Sequence, residues 1–224
     1  MRRPSDIPTT GDLFAMEGSE AGVEPLGSHA CVLRRHALPW LDRLLPALQQ
    51  VIEQAPFRHM MTPGGLPMSA ALTSCGHYGW VTDRHGYRYA AEDPLDGQPW
   101  PAMPAVFRQL AEDAAARGGF PGFDPDACLI NQYLPGARMS LHQDRDEHDL
   151  RWPVVSVSLG LPAVFLFGGM HRADPTRKVA LMHGDVVVWG GVDRLRFHGI
   201  QPVKPGEHPQ LGAQRINFTF RRAF

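Results

Sequence analysis

The chain has 224 residues, 43% hydrophobic and 20% charged, with a formal net charge of −1. That length and composition fit a packed globular fold, and the near-neutral charge excludes a general polyanion binder, so any nucleic-acid contact must come from a local patch. Three widely spaced cysteines, Cys31, Cys75 and Cys128, with no C-x-x-C pair, exclude a disulfide framework and a zinc ribbon. They point to a reducing compartment, so the expected location is cytoplasmic.

Residues 1–28 are rich in Gly, Pro, Ser and acids and have few apolar anchors. They are expected to form a loose N-terminal arm, with no apolar stretch of signal-peptide type at the start. Residues 29–224 are expected to form a single domain. A first strand is predicted over 31–35. Leu38, Leu41, Leu44, Leu45, Leu48, Val51 and Ile52 then recur at helical spacing and predict an amphipathic helix. Pro46 inside that pattern requires the helix to begin near Leu44 or to kink.

Thr62-Pro63-Gly64-Gly65 reads as a turn, and 68–74 as a strand. The segment from Cys75 to Tyr89 mixes aromatic, glycine and basic residues. It suits either a hairpin with an aromatic cluster or a surface that stacks bases and meets phosphates. Proline at the start and Gly118-Gly119 after the end bound a second helix over 101–117. Phe107, Leu110, Ala111 and Ala114 form its buried stripe. Beyond residue 126 the chain reads as short strands: 127–133, 153–159, 163–168, 178–183, 185–189, 195–200 and 214–221. The uncharged run Trp152–Met170 is broken by Ser156, Ser158, Gly160 and Pro162, so it reads as two buried strands, and no membrane span is expected. The fold class is therefore mainly β with flanking helices, a sandwich or jelly roll with two helices bracing the outer face of one sheet.

Three polar patterns interrupt this core. His142 and Asp144 are spaced i, i+2, which on a strand puts both on one face. With a second histidine returning at His198 they make two imidazoles and one carboxylate, the facial triad of non-heme Fe(II) oxygenases. A second H-x-D string, His183-Gly184-Asp185, lies between two strand-like runs and reads as a turn. His77 and His85, like His183, are read as structural. In the last strand Arg215, Asn217, Thr219 and Arg221 share one face, and Ile216, Phe218 and Phe220 the other. If the polar face points inward, its arginines need anions, which a dicarboxylate supplies through bidentate pairing; the alternative is a solvated edge strand. Asn131 and Tyr133, also i, i+2, offer further donors. One dicarboxylate beside a metal fits 2-oxoglutarate.

The strings Met61–Gly65, Cys75–Trp80, Asp126–Tyr133, Leu141–Glu147, Val155–Gly169, His183–Gly191, Phe197–Pro202 and Arg215–Arg221 together resemble the AlkB family of Fe(II)/2-oxoglutarate-dependent demethylases of alkylated nucleic acids. The resemblance runs from about Phe57 to Arg221. It implies a double-stranded β-helix (jelly roll) core over about 126–221 and an N-terminal nucleotide-recognition lid over about 57–100. It implies Fe(II) bound by His142, Asp144 and His198, and 2-oxoglutarate held by Asn131, Tyr133, Arg215, Asn217 and Arg221. Trp80, Tyr87, Arg88, Tyr89, Asp146 and Arg172 are implied to contact the substrate. The implied reaction uses O2 and 2-oxoglutarate to demethylate bases such as 1-methyladenine and 3-methylcytosine, releasing formaldehyde, succinate and CO2. Partners are alkylated single-stranded or double-stranded DNA, with RNA left open; a monomer is expected. The rival readings are a 2-oxoglutarate oxygenase acting on a protein or small molecule, a non-catalytic nucleic-acid binder, and a zinc hydrolase.

Overall fold

Alternating residues fold into strands through most of the chain. The structure is a computed structural model that describes residues 21–224; the rest of the expected loose arm, residues 1–20, lies outside them. In chain order the strands are β1 (Gly22–Pro25), β2 (Ala30–Arg34), β3 (Ala71–Gly76), β4 (Gly79–Asp83), β5 (Gly86–Ala90) and β6 (Ala127–Tyr133). They continue with β7 (Met139–His142), β8 (Val154–Gly160), β9 (Ala163–Phe167), β10 (Arg177–Leu181), β11 (Val186–Trp189), β12 (His198–Ile200) and β13 (Arg215–Arg221). Two helices, α1 (Leu41–Gln54) and α2 (Ala105–Arg117), interrupt the first half.

Strands β6 to β13 pass back and forth between two sheets. The larger has seven strands in the order β1-β2-β11-β8-β13-β6-β3, and the smaller has four in the order β10-β9-β12-β7. Two large hydrophobic cores result, beside a smaller cluster that joins Val81 of β4 to Leu72 and Leu129 of the large sheet. One fills the space between the large sheet and the helices, where Leu44, Leu48, Phe107 and Leu110 meet Ile130, Val157, Ile216, Phe218 and Phe220. The other lies between the sheets and is built from Val154, Phe165, Leu181, Val187 and Trp189. The helices therefore brace the outer face of one sheet, as the sequence predicts, and the sandwich is the expected jelly roll. No helix among the described residues is long and apolar enough to cross a membrane.

Four local expectations are corrected. Gly22–Pro25, inside the stretch read as a loose arm, is an edge strand in register with β2, Val23 opposite Leu33. Helix α1 begins at Leu41, ahead of Pro46. Pro46 is on the exposed side, so the helical bond it cannot donate leaves a carbonyl that water can reach. Helix α2 begins at Ala105 instead of 101, because Met103 precedes Pro104 and the residue before a proline is driven out of helical conformation. Finally, β7 was not among the predicted strands, and it ends at His142, so Asp144 lies just beyond it.

Candidate active site

The polar face of β13 points inward. All seven of its residues are buried, which excludes the solvated-edge alternative. Ile216, Phe218 and Phe220 pack under the helices. Arg215, Asn217, Thr219 and Arg221 line a cavity between the sheets together with Asn131, Tyr133, His142, Asp144 and His198.

Strand register brings the histidines together. His198 of β12 stands directly opposite His142 of β7, with ring centroids 4.4 Å apart. The Nε2 atoms of His142 and His198 lie 3.5 Å and 3.7 Å from Asp144 Oδ1. One ligand atom from each of the three residues falls within 4.8 Å of the others. Each Nδ1 is 2.9–3.0 Å from a backbone carbonyl, Ser140 for His142 and Arg196 for His198. A carbonyl only accepts, so Nδ1 carries the proton and Nε2 presents its lone pair. The strands must approach closely here: a Cβ on Gly199 would sit 2.7 Å from the Met139 carbonyl oxygen.

Asp144 is oriented from behind. Its Oδ2 accepts from Arg221 Nε at 3.0 Å and Nη2 at 2.7 Å, which leaves Oδ1 facing the histidines. Burial pushes the Asp144 carboxyl up, but the Arg221 guanidinium, with His198 and His142, outweighs it and holds the group well below the usual carboxylate range. For His198, burial and the neighbouring His142 lower the pKa to about 4, so its ring is neutral, as a metal ligand must be. For His142 burial also lowers the pKa, but the hydrogen bond to Asp144 prevails and raises it. Two imidazole nitrogens and one carboxylate oxygen at the edge of this cavity fit a divalent iron, with His142 giving up its proton as the metal binds.

The cavity also fits an anion. Arg215 is 1% exposed, yet no carboxylate pairs with it. Its Nη2 donates to Ser158 Oγ at 2.9 Å and its guanidinium lies 4.9 Å from the Tyr133 ring centroid. Nε and Nη1 have no partner. Burial lowers its pKa against the opposing pull of Tyr133, so the buried charge carries a cost that a bound anion would offset. Asn131 Nδ2 makes only a long contact, 3.4 Å to Asn217 Oδ1, so an amide donor is also at hand. Asn217 is committed to Ser156 Oγ at 2.8 Å and the Val157 carbonyl at 2.9 Å, so it braces the pocket wall.

The hairpin β4–β5 contacts the segment that follows the metal-binding strand. Trp80 Nε1 donates to Asp146 Oδ2 at 2.9 Å, and Trp80 stacks on Tyr87 with centroids 5.5 Å apart. These three expected substrate residues are brought together. The others are engaged elsewhere. Arg88 pairs with Asp83 across the hairpin, Nη2 to Oδ2 at 2.8 Å. Tyr89 turns inward and donates its hydroxyl to Glu147 Oε1 at 2.6 Å. Arg172 donates to the Leu141 carbonyl and lies over the Phe197 ring, beside the metal strand.

Two residues were missed in the sequence. Glu147 and Arg194 form a buried pair, Nη2 to Oε2 at 2.9 Å. Arg194 also donates to the Asp144 and Trp152 carbonyls at 2.6 Å and 3.0 Å. No periodicity marks either one; Glu147 sits in a charged run that reads as a solvated loop. The second H-x-D string is the predicted turn. Gly184 has φ +89, and Asp185 accepts from Arg34 Nη1 at 2.6 Å and from the Arg35 and Met182 amides, both at 2.9 Å.

Comparison with known proteins agrees with this geometry. The family model of the 2OG-Fe(II) oxygenase superfamily matches residues 35–221. The chain is 57% identical over 212 residues to the alpha-ketoglutarate-dependent dioxygenase AlkB of Salmonella typhimurium, covering 95% of this chain and 97% of that protein. Its identity to the protein of the same name from Escherichia coli is 56%, with the same coverage. The solved structure of OsALKBH1 superposes with a TM-score of 0.75 at 29% identity, over 90% of this chain and 100% of that one.

Proposed function

The chain belongs to the 2OG-Fe(II) oxygenase superfamily, among its AlkB dioxygenases, and from that premise we propose that it oxidatively demethylates N-alkylated bases, 1-methyladenine and 3-methylcytosine among them, in DNA and in RNA. More distant relatives are named for nucleic-acid substrates: a DNA N(6)-methyladenine demethylase of Arabidopsis thaliana at 35% identity and a tRNA demethylase of Schizosaccharomyces pombe at 28%. The observation that carries the reading is the buried, unpaired Arg215 in the same cavity as the His-Asp-His triad. A dicarboxylate cosubstrate explains both; hydrolysis needs none.

Bound Fe(II), with 2-oxoglutarate and O2, supplies the oxidation of an N-methyl carbon, while the cosubstrate leaves as succinate and CO2. The chain's own residues do the rest. His142, Asp144 and His198 hold the metal, and Arg221 keeps Asp144 ionised and turned toward it. Arg215, Tyr133 and Asn131 take one carboxylate of the cosubstrate, and Arg221 guides the other. Trp80 offers a flat aromatic face and Asp146 a counter-charge. 1-Methyladenine and 3-methylcytosine are cationic, and the ring face favours them by roughly 0.5–2 kcal/mol. The methyl group also blocks pairing, so extruding such a base costs less than extruding a normal one, and single-stranded substrate is cheaper still. The hydroxymethyl product then loses formaldehyde and restores the base. In the same reading the hairpin β4–β5 acts as the lid, and the enzyme works as a cytoplasmic monomer.

The test is direct. The protein is incubated with Fe(II), 2-oxoglutarate and a single-stranded oligonucleotide carrying one N1-methyladenine, with His198→Ala alongside. Mass spectrometry should show loss of the methyl group in the wild type alone. An intact methyl group while 2-oxoglutarate still binds would overturn the proposal.

A further inference from the structure

The segments 78–80 and 146–148 run beside each other and meet in two successive contacts. The first is the Trp80–Asp146 hydrogen bond. The second lies two residues along each segment and is aromatic. Phe224 is wedged between Tyr78 and His148, with ring centroids 4.3 Å and 4.1 Å away. Both contacts link the same two short segments.

Phe224 is 45% exposed, yet it is firmly held. Asp126 accepts from the Ala223 amide at 2.6 Å and the Phe224 amide at 3.1 Å. The His148 amide donates to the Ala223 carbonyl at 2.9 Å. Arg222 Nε lies 3.4 Å from the Phe224 carbonyl oxygen while its guanidinium rests over the Trp152 ring, 5.2 Å from the centroid, so a cation held by Trp152 stands beside the cluster. An ordered, half-exposed aromatic surface with a cation at its rim is what single-stranded nucleic acids stack on. The offset from the Trp80 contact is two residues of extended chain, roughly 6.6 Å, a spacing a flexible single strand can match between neighbouring bases.

Resting on the nucleic-acid reading above, we propose that Tyr78, His148 and Phe224 form a stacking platform for the nucleobase adjacent to the one that enters the metal site. The alkylated base contacts Trp80 and Asp146, its neighbour lies on the Phe224–Tyr78 surface, and Arg222 meets the phosphate beside it. The platform reads no sequence, because every base has a stacking face.

The experiment uses the enzyme loaded with Mn(II) and 2-oxoglutarate, which binds without turnover. Two single-stranded oligonucleotides carry N1-methyladenine with 2-aminopurine on its 5′ or on its 3′ side. In the wild type, binding should quench the fluorescence of one of the two. Phe224→Leu keeps an apolar side chain but no ring; it should abolish that quenching and weaken binding on the order of tenfold. Phe224→Trp should retain both. Melting temperature reports whether Phe224→Leu folds, and if it falls, Tyr78→Leu is read in the same way. Equal quenching in wild type and leucine variants, or quenching of neither oligonucleotide by a wild type that demethylates N1-methyladenine, overturns the platform alone. A wild type that neither binds nor demethylates these oligonucleotides overturns the nucleic-acid reading and the platform with it.

Discussion

Arg194 Nη2 lies 2.9 Å from Glu147 Oε2, with both side chains almost fully withdrawn from solvent. The pair stands directly behind the metal ligand Asp144, whose carbonyl Arg194 also holds. Glu147 in turn receives the Tyr89 hydroxyl from the hairpin. Removing one member of an isolated buried ion pair typically costs roughly 3–5 kcal/mol; here Arg221 Nε, 3.3 Å from Glu147 Oε1, still compensates Glu147 in part, so the cost falls below that range and adds to the loss of the two carbonyl contacts of Arg194. Arg194→Met should therefore lower the urea midpoint sharply and weaken Mn(II) binding. Adding Glu147→Gln should recover part of the stability and little of the metal affinity. A single variant with wild-type midpoint and metal affinity would contradict this role.

Arg215 should behave in the opposite way. It is a buried cation with two donors unmet, and such a charge is costly to hold. Arg215→Met should leave the cosubstrate-free protein as stable as the wild type or more so. The rise in melting temperature that 2-oxoglutarate gives the wild type should vanish. A variant that still gains thermal stability from 2-oxoglutarate would place that ligand elsewhere.

Gly199 separates strand geometry from ligand chemistry. Its missing Cβ lets β12 approach the Met139 carbonyl, which sets His198 opposite His142. Gly199→Ala should push the strands apart by a few tenths of an ångström or more and spread the two imidazoles. Calorimetry should show Mn(II) affinity falling tenfold or more even though all three ligands are present; unchanged affinity would show that the strands yield elsewhere.

Asp146 tests the charge selectivity. Asp146→Asn keeps an acceptor for the Trp80 indole but removes the negative charge. kcat/KM should drop for the cationic 1-methyladenine and much less for a neutral N-methylated base, measured side by side. An equal drop for both would assign Asp146 to positioning Trp80 only.

A pH effect on stability arises outside the candidate active site, whose lining does not include His183. His183 Nδ1 accepts from the Gly160 amide at 2.9 Å, and its ring lies 4.2 Å from that of His208. Burial, then the His208 charge, push its pKa down to about 4. The unfolded chain protonates this ring near 6.5 while the folded one resists until about 4. Stability should therefore fall as pH drops between 6.5 and 4, and flatten below. His183→Asn, which keeps an acceptor near Nδ1, should reduce that slope in urea titrations at pH 7, 6 and 5; an unaltered slope would assign the acid sensitivity to other groups.

What could be read from the sequence was local and periodic. The alternation in Arg215–Arg221 declared two buried faces of opposite chemistry, and H-x-D with a distant histidine declared a metal. The parts that escaped notice are pairings between remote segments. Arg88 looked free until the hairpin turn brought Asp83 to it, and Tyr89 looked like a surface aromatic until Glu147 met its hydroxyl. Arg194 reaches back about fifty residues to the Asp144 carbonyl, and no period or spacing reports such a contact. Strand β1 was hidden because four residues on a sheet edge need only a partner, which β2 supplies.

The two-faced β13 also guards the assembly of the fold. A slip of one residue against β6 or β8 would turn every side chain over. Phenylalanines would enter the cosubstrate cavity, and guanidinium groups would be driven into the hydrocarbon beneath the helices with no anion in reach. Neither face of this strand forgives an error. The residues that recruit the cosubstrate thus also proofread the closing step of the sandwich, so that a chain able to finish folding has, by the same act, built its reaction chamber.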